Sequence, residues 1–197
     1  MLDWSSILRD LVEGVEWRLR REIPTTEDTV RYYFYLRLIK SGIKPGSMIL
    51  ERPHPHRQME HKQIDLSVVQ PDGIWDFEIK YHRPIPSGHN RPRTQLRGQI
   101  VSDLYRLALS DGRQRHFVYV ADPEMAAHWK RQEKQLVSAR RSRPMILTLR
   151  WLSEQPPTLR RAVKKGIGFL PNHIQPSVWV EASYSGKEIE SWLMGVR

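Results

Sequence analysis

Gln63-Ile64-Asp65-Leu66-Ser67-Val68-Val69 and Ile74-Trp75-Asp76-Phe77-Glu78-Ile79-Lys80-Tyr81, joined by Gln70-Pro71-Asp72-Gly73, read as the two arms and the turn of a β-hairpin. Side chains of a strand alternate between its faces. Trp75, Phe77, Ile79 and Tyr81 therefore share one face of the second arm, and Asp76, Glu78 and Lys80 the other. In the first arm Ile64, Leu66 and Val68 make the apolar face and leave Asp65 on the polar one. One buried side demands that the apolar faces coincide, which sets Leu66 opposite Phe77 and Asp65 opposite Glu78. A two- or four-residue loop permits this register, whereas a three-residue loop turns Asp65 to the wrong side. Directly opposed residues have β-carbons about 5 Å apart, so two carboxylates held there repel each other. A divalent cation with a lysine beside it relieves that repulsion, and the pattern predicts a metal site.

Around this hairpin, 197 residues suffice for one domain with a real core. The absence of cysteine excludes a disulfide framework and any cysteine-bearing zinc cluster. No apolar run approaches the roughly 20 residues of a membrane span, and no signal-peptide pattern is present; a soluble, cytoplasmic protein without a membrane partner is expected. A formal net charge of +10 points to a polyanion. The excess is local, with eleven Lys/Arg against two Glu between Lys130 and Lys165. Arg140, Arg141, Arg143, Arg160, Arg161, Lys164 and Lys165 are the expected contributors of backbone affinity for nucleic acid. The plainer reading is a merely soluble basic protein.

Along the chain, Leu8, Leu11, Val12, Val15 and Leu19 predict an amphipathic helix over Leu2 to Glu22, stopped by Pro24. Thr25 is the expected cap of a second helix, with Asp28 as reciprocal partner and Ser41-Gly42 as its end. Ser47 to Glu51 reads as a strand broken by Arg52-Pro53-His54-Pro55, since prolines do not fit an interior ladder. His54, His56 and His61 lack the cysteine or regularly spaced acid of a zinc site, so loop or phosphate contacts suit them better. From His82 to Arg93 a polar, proline-broken loop carries Arg83, Arg91 and Arg93, which are candidates to grip a substrate; most such loops are ordinary surface.

Thr94 is expected to cap a helix reaching Ser110, with Leu96, Ile100, Leu104 and Leu107 buried. Gln95, Gln99, Asp103 and Arg106 form a second stripe on it. A strand His116 to Val120 and a helix from Pro123 to about Val137 follow. Further strands are expected at Met145 to Leu149 and Val178 to Ala182, with turns at Ser142-Arg143-Pro144 and Gln155-Pro156-Pro157. Gly166-Ile167-Gly168 lacks the spacing and the lysine of a phosphate loop.

Asp65, a gap of twelve residues and Glu78-Ile79-Lys80 resemble the signature of the PD-(D/E)XK nuclease superfamily. That signature is an aspartate, a variable gap, then Asp/Glu-X-Lys; Ile64 stands where its proline would be. The order helix, three strands, helix, strand from Thr25 to Val120 is also that superfamily's core order and covers about half of the chain. The resemblance implies an α/β fold with a restriction-endonuclease-like αβββαβ core, a mixed central sheet flanked by helices, over about 25–121. An extra N-terminal helix (2–22) and a basic C-terminal part (130–197) complete a single nuclease-like domain, 1–197.

The same resemblance implies Mg²⁺, or Mn²⁺ in its place, held by Asp65, Glu78, the Ile79 carbonyl and Glu27. Glu27 enters because a helix before the first strand often supplies an extra acid; its other reading is a complement to the helix dipole. Lys80 would orient the attacking water, and Gln95 and Gln99 would face the scissile phosphate, unless their stripe is simply a solvated face. The implied function is a metal-dependent endonuclease hydrolysing phosphodiester bonds, most readily in DNA. Alternatives are a ribonuclease, a non-catalytic nucleic-acid-binding protein that retains the fold, or a structural protein with Glu78 and Lys80 as an ordinary ion pair. Cutting both strands of a duplex with one site per chain would favour a homodimer.

Overall fold

A computed structural model describes residues 2–82, 92–169 and 174–197. The hairpin forms in the expected register. β2 (Gln63–Gln70) and β3 (Gly73–His82) run antiparallel, with Leu66 opposite Phe77, Val68 opposite Trp75 and Gln70 opposite Gly73. Pro71 and Asp72 are the two-residue loop, which Gly73 closes at φ +130°, backbone that other residues rarely adopt. β1 (Met48–Pro53) pairs antiparallel with β2 and forms one edge of the sheet. It runs two residues beyond the expected Glu51, because an edge strand tolerates Pro53.

β4 (Gln114–Ala121) lies parallel to β3, from Trp75 beside Gln114 to His82 beside Ala121. Parallel neighbours need a crossover, and α3 (Arg93–Ala108) lies in it. β7 (Glu190–Val196), β6 (Ser177–Ser185) and β5 (Met145–Ile146) then complete a seven-stranded mixed sheet of order β1-β2-β3-β4-β7-β6-β5. The C-terminal residues thus finish the central sheet. Nothing in a period-2 pattern marks β7. It lies between β4 and β6 and is buried on both faces, so it reads as an apolar run without alternation.

Helices flank the sheet. α1 (Trp4–Leu19) and α2 (Glu27–Lys40) bury Leu8, Leu11, Val12, Phe34 and Leu38 against Leu66, Phe77, Ile79 and Val118. On the other face α3, α4 (Pro123–Gln132) and α7 (Pro157–Ile167) bury Ile100, Leu104, Trp129 and Val163 with Phe117 and Tyr119. Alternation in β3 explains the division: Phe77 and Ile79 serve the first cluster, while Asp76 and Glu78 turn the other way and are buried all the same.

Several helix boundaries differ from expectation. Thr26, one residue later than the expected Thr25, caps α2, and its reciprocal partner is Thr29 in place of Asp28. α3 begins at Arg93 behind Pro92 with no side-chain cap, so Thr94 falls inside its first turn. The expected helix from Pro123 to Val137 breaks at Glu133, leaving the short α5 (Lys134–Val137). The expected strand from Met145 lasts two residues, because Thr148 caps α6 (Leu149–Ser153) by accepting from the Trp151 N–H. Gln155-Pro156-Pro157 is the entry to α7, where proline in the first turn loses no hydrogen bond. Gly168, at φ +87°, ends that helix.

α3 and α7 approach each other across a glycine. A β-carbon on Gly98 would stand 2.6 Å from the Ala162 Cβ and 2.9 Å from the Leu159 carbonyl oxygen, neither of them a flexible tip. Gly98→Val is therefore expected to cost about 1–3 kcal/mol through overpacking. Thermal denaturation should record a fall of roughly 2–4 °C for each kcal/mol at this chain length. An unchanged Tm would mean that the two helices separate without cost.

Candidate active site

Past Phe77 the hairpin opens. Its paired residues run from Gln70–Gly73 to Leu66–Phe77, while β2 continues on β1 with Ile64 beside Arg52. β3 continues on β4 as far as His82, so its second half has a strand on one side only. Carboxylates meet its other edge. The Ile79 N–H donates to Asp65 Oδ2 at 2.8 Å, and the Tyr81 N–H donates to Glu27 Oε2 at 3.1 Å. The N–H and C=O of one strand residue project to the same edge, so the Ile79 carbonyl faces the side where Asp65 sits.

Each charged group there has a definite partner. Asp65 Oδ1 accepts from Arg31 Nη2 at 2.9 Å, and Arg31 also reaches Asp28 at 3.3 Å and Glu51 at 3.4 Å. Burial raises the Asp65 pKa, against the pull of Arg31 and the Ile79 N–H. Glu78 is 2% exposed. Its Oε2 accepts from Arg106 Nη2 at 2.6 Å, while its Oε1 is buried without a hydrogen-bond partner among the described residues. Burial drives the Glu78 pKa well above the carboxylate range; Asp65 and Asp103 add to the effect and Arg106 opposes it.

Lys80 Nζ lies 3.0 Å from Glu27 Oε1 and 3.8 Å from Asp103 Oδ2. Burial works against its charge, but Asp103 and Glu27 outweigh it, so its pKa is raised. Asp103 is itself buried, which raises its carboxyl pKa, and it pairs with Arg106 at 3.3 Å.

Asp65, Glu78, Lys80 and Glu27 are thus brought together at one edge, joined by Asp103 and Arg106. The expectation that the two acids oppose each other directly needs one correction. The ladder stops at Leu66–Phe77, and Asp65 reaches past Glu78 to the Ile79 N–H, so each acid is matched by its own arginine. Gln95 and Gln99 are exposed in the first turns of α3, and the part of that helix at the site is the Asp103–Arg106 turn. Asp103 and Arg106 belong to the same sequence stripe as the glutamines, which is the only signal that pointed to them. His54 Nε2 lies 3.0 Å from the Arg106 carbonyl oxygen of α3 and its Nδ1 accepts from the His56 backbone N–H, while His56 Nδ1 accepts from the Gln58 N–H.

The donor set suits a hard cation. Glu27, Asp65, Glu78 and Asp103 offer oxygen, the Ile79 carbonyl faces the same edge, and Glu78 Oε1 lacks a hydrogen-bond partner among the described residues. Among the described residues, however, no three His, Asp or Glu side chains converge closely enough to hold a metal ion. Arg31, Lys80 and Arg106 pair with these acids as they stand.

Of the basic candidates, Arg83 and Arg91 lie outside the described residues. Arg93 pairs with Glu124. Arg160, Arg161, Lys164 and Lys165 are exposed on α7, which packs on α3. Arg140, Arg141 and Arg143 are exposed before β5, with Arg141 beside Trp179 of β6. No helix among the described residues is long and apolar enough to cross a membrane. Comparison with protein-family models, with curated proteins and with solved structures finds no match.

Proposed function

We propose that this chain is a metal-dependent nuclease of the PD-(D/E)XK kind, hydrolysing phosphodiester bonds in DNA. The observation that carries the reading is the meeting of Asp65, Glu78, Lys80 and Glu27 along the open edge of β3. The order α2, β1, β2, β3, α3, β4, with three antiparallel strands and then a parallel one, supports a restriction-endonuclease-like core.

Asp65, Glu78 and Glu27 do not converge on one point as they stand, so Mg²⁺ or Mn²⁺ would have to draw them together with the Ile79 carbonyl. Such an ion, when bound, stabilises the charge gathering on the phosphate and helps to ionise the attacking water. Lys80 donates hydrogen bonds toward that water or toward a phosphate oxygen, and Asp103 positions it from α3. Arg31 fixes the Asp65 carboxylate, and Arg106 holds Glu78 Oε2 and opposes the rise that burial imposes on the Glu78 pKa.

Purified protein is expected to nick plasmid DNA with Mg²⁺ or Mn²⁺ and to stop in EDTA. Running the panel on single- and double-stranded DNA and RNA also defines the substrate. The basic surface predicts that duplex affinity falls with salt, with a log–log slope of about −0.9 for each phosphate neutralised. Metal-independent cutting, or cutting of nothing in the panel, would overturn the catalytic reading.

One observation favours a second reading. Arg31, Lys80 and Arg106 already pair with all four acids, as they would in a nucleic-acid-binding protein that kept this arrangement without chemistry. That protein would bind with the same salt dependence and cut nothing.

A further inference from the structure

A groove of about 1220 Å³ lies at the other end of β3, between the hairpin loop, the start of β4 and β6. Trp75 and Trp179 line it, both half-buried. Each indole is held by its polar edge: Trp75 Nε1 donates to Asp72 at 3.3 Å and Trp179 Nε1 donates to Glu181 at 3.2 Å. Trp179 lies directly over Gly195, where a β-carbon would come within 2.3 Å of its Cε2 and Cζ2 atoms. The glycine lets the ring rest against β7. The Arg141 guanidinium stands over the same ring, 5.8 Å from its centroid.

The charge of this groove is unbalanced. Its carboxylates are engaged: Asp72 by Trp75 and by Arg113 at 3.7 Å, Asp111 by Arg52 at 2.7 Å, and Glu181 by His116 at 3.2 Å. Arg115, Arg140, Arg141 and Arg197 also line it, and among the described residues none of them forms an ion pair with a carboxylate. Arg115 donates to the carbonyls of Gly112 and Ala108 and feels the more distant carboxylates of Asp76 and Asp111. The site therefore combines fixed aromatic rings with more arginines than carboxylates.

A duplex presents phosphates but keeps its bases stacked inside. An unpaired strand presents phosphates and base faces together, and the two match an arginine and an indole. An acidic peptide would engage the arginines and make no use of the rings. We propose that this groove binds a single-stranded segment of nucleic acid, with bases against Trp75 and Trp179 and phosphates against the four arginines. The inference rests on the nucleic-acid partner proposed above and not on catalysis. Trp75 precedes Glu78 by three residues, roughly 10 Å along a strand, so a strand held here stays within reach of the carboxylate cluster.

The test is fluorescence anisotropy in EDTA with a fluorescein-labelled oligothymidylate of about twelve nucleotides. Wild-type protein should bind it, and Trp179→Ala should weaken binding about tenfold or more, the scale of one lost base stack. Gly195→Ala, which displaces the ring without deleting it, should weaken binding in the same direction. The exposed pair Arg140→Ala/Arg141→Ala carries little risk to folding and should flatten the log–log salt slope by about 1.4.

No binding of the single strand would overturn the proposal. So would variants that bind like wild type, a duplex affected equally by Trp179→Ala, or polyglutamate competing as well as the oligonucleotide. Because the readout needs no cleavage, the two readings fail separately. Protein that binds the strand but cuts nothing loses the nuclease assignment and keeps the groove. Protein that cuts while these variants bind normally does the reverse.

Discussion

Glu78→Gln is expected to lower metal-dependent cutting by at least about 10²-fold, the scale of one lost charge-stabilising group in an active site, while leaving the fold intact. Glutamine keeps the volume and an oxygen that accepts from Arg106, but it removes the negative charge and one of the two oxygens of Glu78. Arg106 is not stranded by the change, because Asp103 remains 3.3 Å away. Single-turnover cleavage beside a thermal melt separates the two effects. A glutamine variant that cuts as fast as wild type would place the chemistry elsewhere.

The parallel substitution at Asp65 needs more care. Alanine there would also leave the Ile79 N–H without its acceptor and Arg31 without its closest carboxylate, an unsatisfied donor that costs about 1–3 kcal/mol. Asparagine keeps an acceptor and is the cleaner variant.

Glu133→Ala is expected to cause the largest loss of stability. Glu133 and Arg97 are 3% and 6% exposed and paired with each other, with Arg97 also donating to Gln155 at 2.5 Å. Deleting the acid leaves a buried guanidinium with only a neutral oxygen, and breaking a buried pair in this way costs about 3–5 kcal/mol. Pairing the change with Arg97→Met removes both charges, and such replacements are often neutral or stabilising. Urea denaturation of the single and double variants decides the matter. A single variant within about 1 kcal/mol of wild type, the value of an exposed pair, would show that water reaches Arg97.

The hairpin was readable because two constraints act on the same residues. Alternation assigned the faces of Phe77 and Glu78, and the need to bury one side set Leu66 against Phe77. Glu27 was expected at the site only through the family resemblance, since its place in the first turn of a helix suits the helix dipole equally. The role of the Asp103–Arg106 turn was not. Helical spacing puts Gln95, Gln99, Asp103 and Arg106 on one stripe but does not say which turn passes the open edge of β3. Asp103 and Arg106 reach Lys80 and Glu78, leaving the glutamines exposed. β7 and α7 escaped for different reasons. A strand buried on both faces shows no alternation, and Pro156-Pro157 marks a turn and a helix start equally well.

The half-open β3 has a meaning for assembly. Unpaired strand edges template the addition of another chain, and the N–H groups of Ile79 and Tyr81 would offer such a template. Glu27 and Asp65 occupy both donors with negative charge, so the acids proposed for chemistry also act as gatekeepers against self-association. Losing them would expose a sticky margin as well as silence a site.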